Sequence, residues 1–181
     1  MVYVFLADGF ETVEALCPID LMRRAGLEVS TVSISGSYEV TSRQNITVLC
    51  DTALDCVDLD KAELLMLPGG MPGSDNLAKC EALCSLLVKA YERDIALAAI
   101  CAAPYVLGML GILKGKQATC YPGFEGLLEG AYISEQTVVR DGNIVTGAGM
   151  GVATEFGLEL ISLLGSEEKA DEIARSVIFE R

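Results

Sequence analysis

The sequence predicts an α/β protein: a mostly parallel sheet with helices on both faces. Two observations carry that prediction. Short runs of β-forming residues alternate with helical patterns from the first residue onward, as successive βαβ units require. The apolar run Ile95 to Ile100 also stops abruptly at Cys101, and Ala102 to Leu110, closed by Gly111, has the composition of a helix. A buried strand that turns sharply into a helix is how α/β enzymes present a nucleophile.

Taken in order, Val2 to Ala7 reads as the first core strand. A helix follows from about Glu11 to Ala25, stopped by Gly26, and Glu28 to Ile34 is the second strand. From Ser35 to Asp60 the pattern weakens. Gly36-Ser37 marks a turn, and the runs Tyr38 to Thr41 and Thr47 to Cys50 suit a hairpin or an excursion at the sheet edge. Ala62 to Leu67 is a buried strand, followed by the loop Pro68 to Gly73, one helix from Asn76 to Arg93, and the central strand Ile95 to Ile100. Beyond the elbow, Gln117 to Cys120 is a short strand. Thr137 to Arg140 and Asn143 to Thr146 flank an Asp141-Gly142 hairpin signal. The glycine-rich stretch Gly147 to Gly151 leads into a helix reaching Leu164, and Ser166 caps the last helix. No linker or repeat divides the chain, so a single domain over residues 1–181 is expected, with the loops at strand C-termini converging on one crevice.

Composition narrows the function. A chain of 181 residues with 51% apolar content can bury a large core. Its 26 acidic and 13 basic residues give a net charge of −13, which repels nucleic acid and anionic membranes. The uncharged stretch Ile95 to Leu113 approaches the roughly 20 residues that span a bilayer, but Pro104, Gly108 and Gly111 interrupt it. The first residues lack a secretory signal, and seven cysteines at scattered spacings do not form a disulfide framework. A reducing cytoplasm is the expected location.

The chain contains no histidine. Cys-His, Ser-His and His-metal chemistry are therefore closed, and any partner for Cys101 must be a carboxylate. A helix starting directly after Cys101 would favour its thiolate. Glu11 and Glu14 are three residues apart and share a face of the first helix. Acidic residues in a first turn suit the helix dipole on their own account. Enclosed in an apolar pocket, however, a glutamate stays protonated and can donate to a thiolate. Gly69 and Gly70 follow a buried strand, where missing side chains let backbone N–H groups approach an oxyanion. Cys17, Cys50, Cys56, Cys80 and Cys84 read as inert packing residues. Cys80 and Cys84 lie one helical turn apart but lack the further ligands of a zinc site, so no metal is expected. Cys120, at a strand end facing the crevice, is either a packing residue or a resolving thiol.

Several motifs together resemble the ThiJ/PfpI superfamily, in the DJ-one branch linked to Parkinson disease. They are Gly9 through Asp20 with Glu11, Glu14 and Pro18; Met22-Arg23-Arg24-Ala25-Gly26; Ser42-Arg43; Leu67-Pro68-Gly69-Gly70 with Asn76-Leu77; Ala98-Ala99-Ile100-Cys101-Ala102-Ala103-Pro104; and Glu155-Phe156. The resemblance implies a flavodoxin-like (Rossmann-like) sandwich, a homodimer, no cofactor, and Cys101 as the reactive cysteine with Glu14 as its protonated partner. It also implies that the amides of Gly69, Gly70 and Ala102 lie beside the sulfur, with Arg43 approaching from the neighbouring subunit. Ala102 stands where peptidase-like relatives carry histidine, which argues against a peptidase. Tyr121-Pro122 replaces a histidine-proline pair, and Ala148 replaces a pocket arginine. Proton transfer then falls on Glu14, with Tyr121 as a possible helper.

Two activities follow from the resemblance. One is a cofactor-independent enzyme acting on small 2-oxoaldehydes, or on their protein adducts, as a glyoxalase or deglycase. The other is a redox sensor whose Cys101 is oxidised to the sulfinate. Its partner is accordingly a small carbonyl substrate or an oxidant. A thiazole or thiamine role, suggested by the superfamily name, has no independent support in the residues.

Overall fold

The computed structural model describes residues 1–180. Strand β1 (Val2–Leu6) has all five side chains buried, as a strand covered on both faces must. Helix α1 (Thr12–Arg24) follows, and β2 (Val29–Ser33) returns parallel to β1 with Val2 opposite Val29. The weak region resolves into both expected forms. β3 (Glu39–Thr41) and β4 (Thr47–Leu49) make a separate antiparallel hairpin, while β5 (Thr52–Ala53) adds to the sheet edge beside β2.

β6 (Leu64–Leu67) pairs with β1 on one side and with β7 (Ala96–Ile100) on the other. The single helix expected from Asn76 to Arg93 is instead two, α2 (Gly73–Lys79) and α3 (Glu81–Glu92). Cys80 breaks it by taking an extended conformation with ψ 93°. The break has a packing cause: α2 is pinned over the first loop, where Asn76 Nδ2 donates to the Asp8 carbonyl at 2.9 Å, whereas α3 covers the sheet through Leu83 and Leu87.

After the elbow, α4 (Pro104–Met109) starts later and is shorter than expected. β8 (Gln117–Ala118) pairs with β9 (Tyr132–Ile133) in a small separate sheet. β10 (Val138–Asp141) and β11 (Ile144–Gly147) form the expected hairpin, but Asp141 pairs with Ile144, so the two-residue turn is Gly142-Asn143. Helices α5 (Ala153–Leu164) and α6 (Glu167–Ser176) complete the chain, and Ser166 Oγ accepts the Lys169 N–H as the cap of α6.

The seven-stranded sheet runs β10-β11-β7-β6-β1-β2-β5, and only β10 is antiparallel to its neighbour. Alternation along β1 sends Val2, Val4 and Leu6 to the face covered by α1, α5 and α6. It sends Tyr3 and Phe5 to the face covered by α2, α3 and α4. This is the expected flavodoxin-like α/β arrangement. Ile95 to Leu113 is accounted for by β7, the elbow and α4, and among the described residues no helix is long and apolar enough to cross a membrane.

Close packing at the loop ends leaves no room for a side chain at Gly73. A Cβ added there would lie 2.6 Å from the Phe10 nitrogen and 2.8 Å from the Gly9 carbonyl carbon, both backbone atoms that cannot step aside. Gly73→Ala should therefore lower stability by about 1–3 kcal/mol, as overpacking does, measurable as a reduced urea midpoint with an unchanged m-value.

Candidate active site

The site is built where β1, β6 and β7 end. Cys101 follows β7 directly and holds φ 65°, a left-handed conformation uncommon for a residue with a side chain. Two hydrogen bonds hold it there: its N–H donates to the Gly147 carbonyl at 2.8 Å, and its carbonyl accepts the Tyr121 N–H at 2.7 Å. Neighbouring strand and loop thus fix the direction of the sulfur.

Glu14, in the first turn of α1, is 1% exposed. Pro18 lies four residues further on, so the helical bond that Glu14's carbonyl would accept from residue 18 is absent. The glutamate and the cysteine meet across Gly69. A Cβ built on Gly69 would lie 2.5 Å from Cys101 Cβ and 2.5 Å from Glu14 Oε2, which keeps those two atoms within twice that distance. Any other residue at 69 would push them apart. Oε2 is buried without a hydrogen-bond partner. Burial, with the nearby Glu11 charge, raises the Glu14 pKa to about 7, against the smaller lowering effects of the Cys101 thiol and the Gly69 amide.

The same enclosure acts on the sulfur. Burial and the facing Glu14 carboxylate push the Cys101 thiol up to about 12, while the amides of Ala102 and Gly70 favour its ionised form. The expected thiolate driven by a helix dipole is corrected accordingly. α4 has six residues and begins at Pro104, three positions beyond the sulfur, too short and too far to outweigh burial. The chemistry follows from coupling. As pH rises through about 7 the pair takes up one negative charge, held either as thiol with carboxylate or as thiolate with carboxylic acid. Passing the proton from sulfur to Glu14 leaves the net charge unchanged, so burial hardly opposes it.

The other anticipated residues separate clearly. Glu11 faces the cavity, and its Oε2 accepts from Gln44 Nε2 at 2.8 Å and lies 3.9 Å from Arg43 Nε. Gln44 Oε1 in turn accepts from Thr12 Oγ1 at 2.9 Å. Arg43 therefore reaches the cavity from the same chain as Cys101, because its N–H donates to the Phe10 carbonyl at 3.0 Å and docks the β3–β4 loop onto the start of α1. That corrects the expected approach from a neighbouring subunit. Gly70, Ala102 and Tyr121 line the cavity, and Gly69 lies directly behind the pair. Cys120 does not line it. Its side chain is buried in the core, with its thiol pushed up to about 11 by burial and the Glu125 charge, which favours the packing role over that of a resolving thiol. Among the described residues no cluster of three metal-ligating side chains occurs.

The cavity occupies about 340 Å3, and Met71, Phe124 and Met150 also line it. Sequence reasoning missed these three and Gln44. Met71 and Gln44 adjoin Gly70 and Arg43 in sequence, and Phe124 and Met150 lie within three residues of Tyr121 and Ala148; that proximity is the one signal in the sequence.

Fold and site together define an α/β protein with a cysteine–carboxylate pair at a strand-to-helix elbow. The profile of the DJ-1/PfpI family matches residues 1–163, and the chain belongs to that family. It is 36% identical over 177 residues to Protein dj-1beta of Drosophila melanogaster, covering 97% of this chain and 95% of that one. It is 39% identical over 180 residues to Protein DJ-1 homolog B of Arabidopsis thaliana, of which it spans 41% while 98% of this chain is covered. The solved structure of oxidised Toxoplasma gondii DJ-1 superposes with a TM-score of 0.94 at 33% identity, covering 99% of this chain and 98% of that one.

The raised Glu14 pKa has a thermodynamic sign. The folded state holds this proton more tightly than the unfolded chain, so stability falls as pH rises from 4.5 through about 7. The full penalty above that window is about 3 kcal/mol. Glu14→Gln removes the titration. Its stability relative to the parent chain should therefore rise across this window and level off above it, in urea melts run between pH 5 and 8. Alkylation of Cys101 by iodoacetamide should show a first rise centred near pH 7, as the pair becomes singly charged, and a second only toward pH 12. In Glu14→Gln the first rise should vanish, and the thiol should titrate in one step below the parent value, because the charge that held it up is gone.

Proposed function

We propose that this chain is a cofactor-independent cysteine enzyme that converts small 2-oxoaldehydes to 2-hydroxy acids. The observation that carries this reading is the Glu14 carboxyl. It is buried, has one oxygen unpartnered, and is poised at a pKa of about 7 beside Cys101. Such a group is matched to taking and returning a proton near neutrality.

The sulfur of Cys101 adds to the aldehyde carbon, and its proton passes through Glu14 to the carbonyl oxygen, giving a hemithioacetal. Glu14 then removes the hydrogen of that carbon as a proton and delivers it to the adjacent carbon. The C–H bond broken is replaced by one next door, and the product is a Cys101 thioester of the 2-hydroxy acid. The Gly70 and Ala102 amides, which favour negative charge at the sulfur, are placed to hold the oxyanion formed in between. Water cleaves the thioester, releasing the acid and restoring the thiol. One water is consumed, the aldehyde carbon is oxidised as its neighbour is reduced, and no external electron carrier takes part. Protein adducts of the same aldehydes present the same two carbons and extend the reading to a deglycase. Tyr121, at the mouth of the cavity, is the available helper for the carbonyl oxygen.

A redox-sensor reading draws on the same amides, which suit the oxygens of a sulfinate, and on the oxidised state of the Toxoplasma gondii relative. A cytoplasmic homodimer is proposed alongside either role. All seven cysteines are unpaired, as in a reducing compartment, and sedimentation would measure the assembly.

Incubation of purified protein with methylglyoxal decides between the two activities. The enzyme reading expects lactate, with kcat/KM falling at least about 100-fold in Cys101→Ser and in Glu14→Gln. No lactate from the parent protein, with mass spectrometry showing selective sulfinylation of Cys101 by mild peroxide, would establish the sensor instead.

A further inference from the structure

We infer that the Cys101 cavity selects 2-oxoaldehydes bearing an aromatic or bulky apolar group on the ketone carbon, received by a wall of Met71, Tyr121, Phe124 and Met150. This rests on the reading of Cys101 and Glu14 given above and adds the identity of the substituent.

Size is the first argument. At roughly 30 Å3 per heavy atom, the share of a water molecule in the liquid, methylglyoxal needs at most about 150 Å3. That is less than half of the cavity's approximately 340 Å3. Phenylglyoxal, by the same measure, needs about 300 Å3 and fits the space.

The chemistry of the lining is the second. The reacting carbons must sit at Cys101 and Glu14, and besides Glu11 and Arg43 the other side chains lining the cavity include two aromatic rings and two thioethers. Tyr121 is 51%, Met150 54% and Met71 37% exposed, so these side chains are not spent on the core. Apolar groups gathered around a cavity mouth mark a binding surface, and methionine adapts to rings of varied shape.

The wall is also held in place relative to the sulfur. Tyr121 donates its N–H to the Cys101 carbonyl at 2.7 Å, and Phe124 donates its N–H to the Tyr121 carbonyl at 3.1 Å, so both rings ride on one turn anchored to the elbow. The Phe124 ring centre lies 6.1 Å from that of Tyr105, tilted by 34°. Tyr105 is fixed by its hydroxyl, which donates to Asp75 Oδ1 at 2.8 Å. Tyr121 reaches toward the carboxyl as well: a Cβ on Gly149 would lie 3.4 Å from its ring and 3.9 Å from Glu14 Oε1. An aryl group attached one carbon from the reacting aldehyde therefore meets preset aromatic faces.

The test separates the wall from the catalysis. Cys101 alkylation by N-phenyliodoacetamide is compared with that by iodoacetamide, and the ratio is divided by the same ratio for free cysteine. The expected value is about ten or more, falling toward one in Met71→Ala/Met150→Ala, whose changed side chains are exposed and leave the core intact. In parallel, kcat/KM for phenylglyoxal should exceed that for methylglyoxal by about ten-fold, with the gap narrowing in the same variant. A normalised alkylation ratio near one in the parent protein, with methylglyoxal turned over as well as phenylglyoxal, would overturn the inference and leave the enzyme reading standing. A high ratio without turnover of either aldehyde would support the apolar wall and overturn the enzyme reading.

Discussion

The site depends on one constraint: a buried cysteine and a buried glutamate share a space that tolerates a single negative charge. Burial alone would leave both groups uncharged, with the thiol protonated far above neutrality and the carboxyl weakened as an acid. Placed together they behave differently, because moving a proton between them creates no new charge. The histidine-free composition thus stops being a deficit. A carboxyl whose pKa is raised to about 7 by burial titrates in the range where an imidazole would.

The fold supplies the confinement through backbone features. Gly69 lets the two side chains approach, since a single Cβ there would occupy the space between them. The left-handed Cys101 is held by hydrogen bonds from two different segments, the Gly147 carbonyl and the Tyr121 amide. Glu14 descends from the other side of the crevice on α1, whose start is clamped by the docked hairpin loop bearing Arg43 and Gln44. Six stretches distant in sequence therefore converge around the C-terminal ends of adjacent parallel strands, where helix and loop ends leave room for a ligand.

What the sequence disclosed follows from this division. The strands, the elbow and the need for a carboxylate beside Cys101 were legible because hydrophobic periodicity and the missing histidine act locally or by exclusion, whereas the choice of Glu14 over Glu11 rested on the family resemblance. The break at Cys80 was not legible, because its cause is the docking of Asn76 on Asp8, a contact across 68 residues. Cys120 misled for a related reason. Its strand ends toward the site, but β8 stops at Ala118, and the chain turns the thiol into the core before Tyr121 emerges at the cavity. The ionisation of Cys101 also went the other way from expectation: the composition of Ala102 to Leu110 suggests a helix but not where its first turn begins, and burial is a tertiary quantity.

Charge on the whole molecule bears on how such a site would cycle. A net charge of −13 surrounds a cavity that already holds one negative charge, and among the described residues lining it Arg43 is the one cation, partly offset by Glu11 at 3.9 Å. A neutral carbonyl compound crosses this field without penalty, and an apolar wall can retain it. A hydroxy acid formed inside ionises and is repelled by the pair and by the surface beyond it. The arrangement thus favours entry of uncharged reactants and exit of anionic products, so the acidity of the chain gives the proposed reaction its direction of traffic.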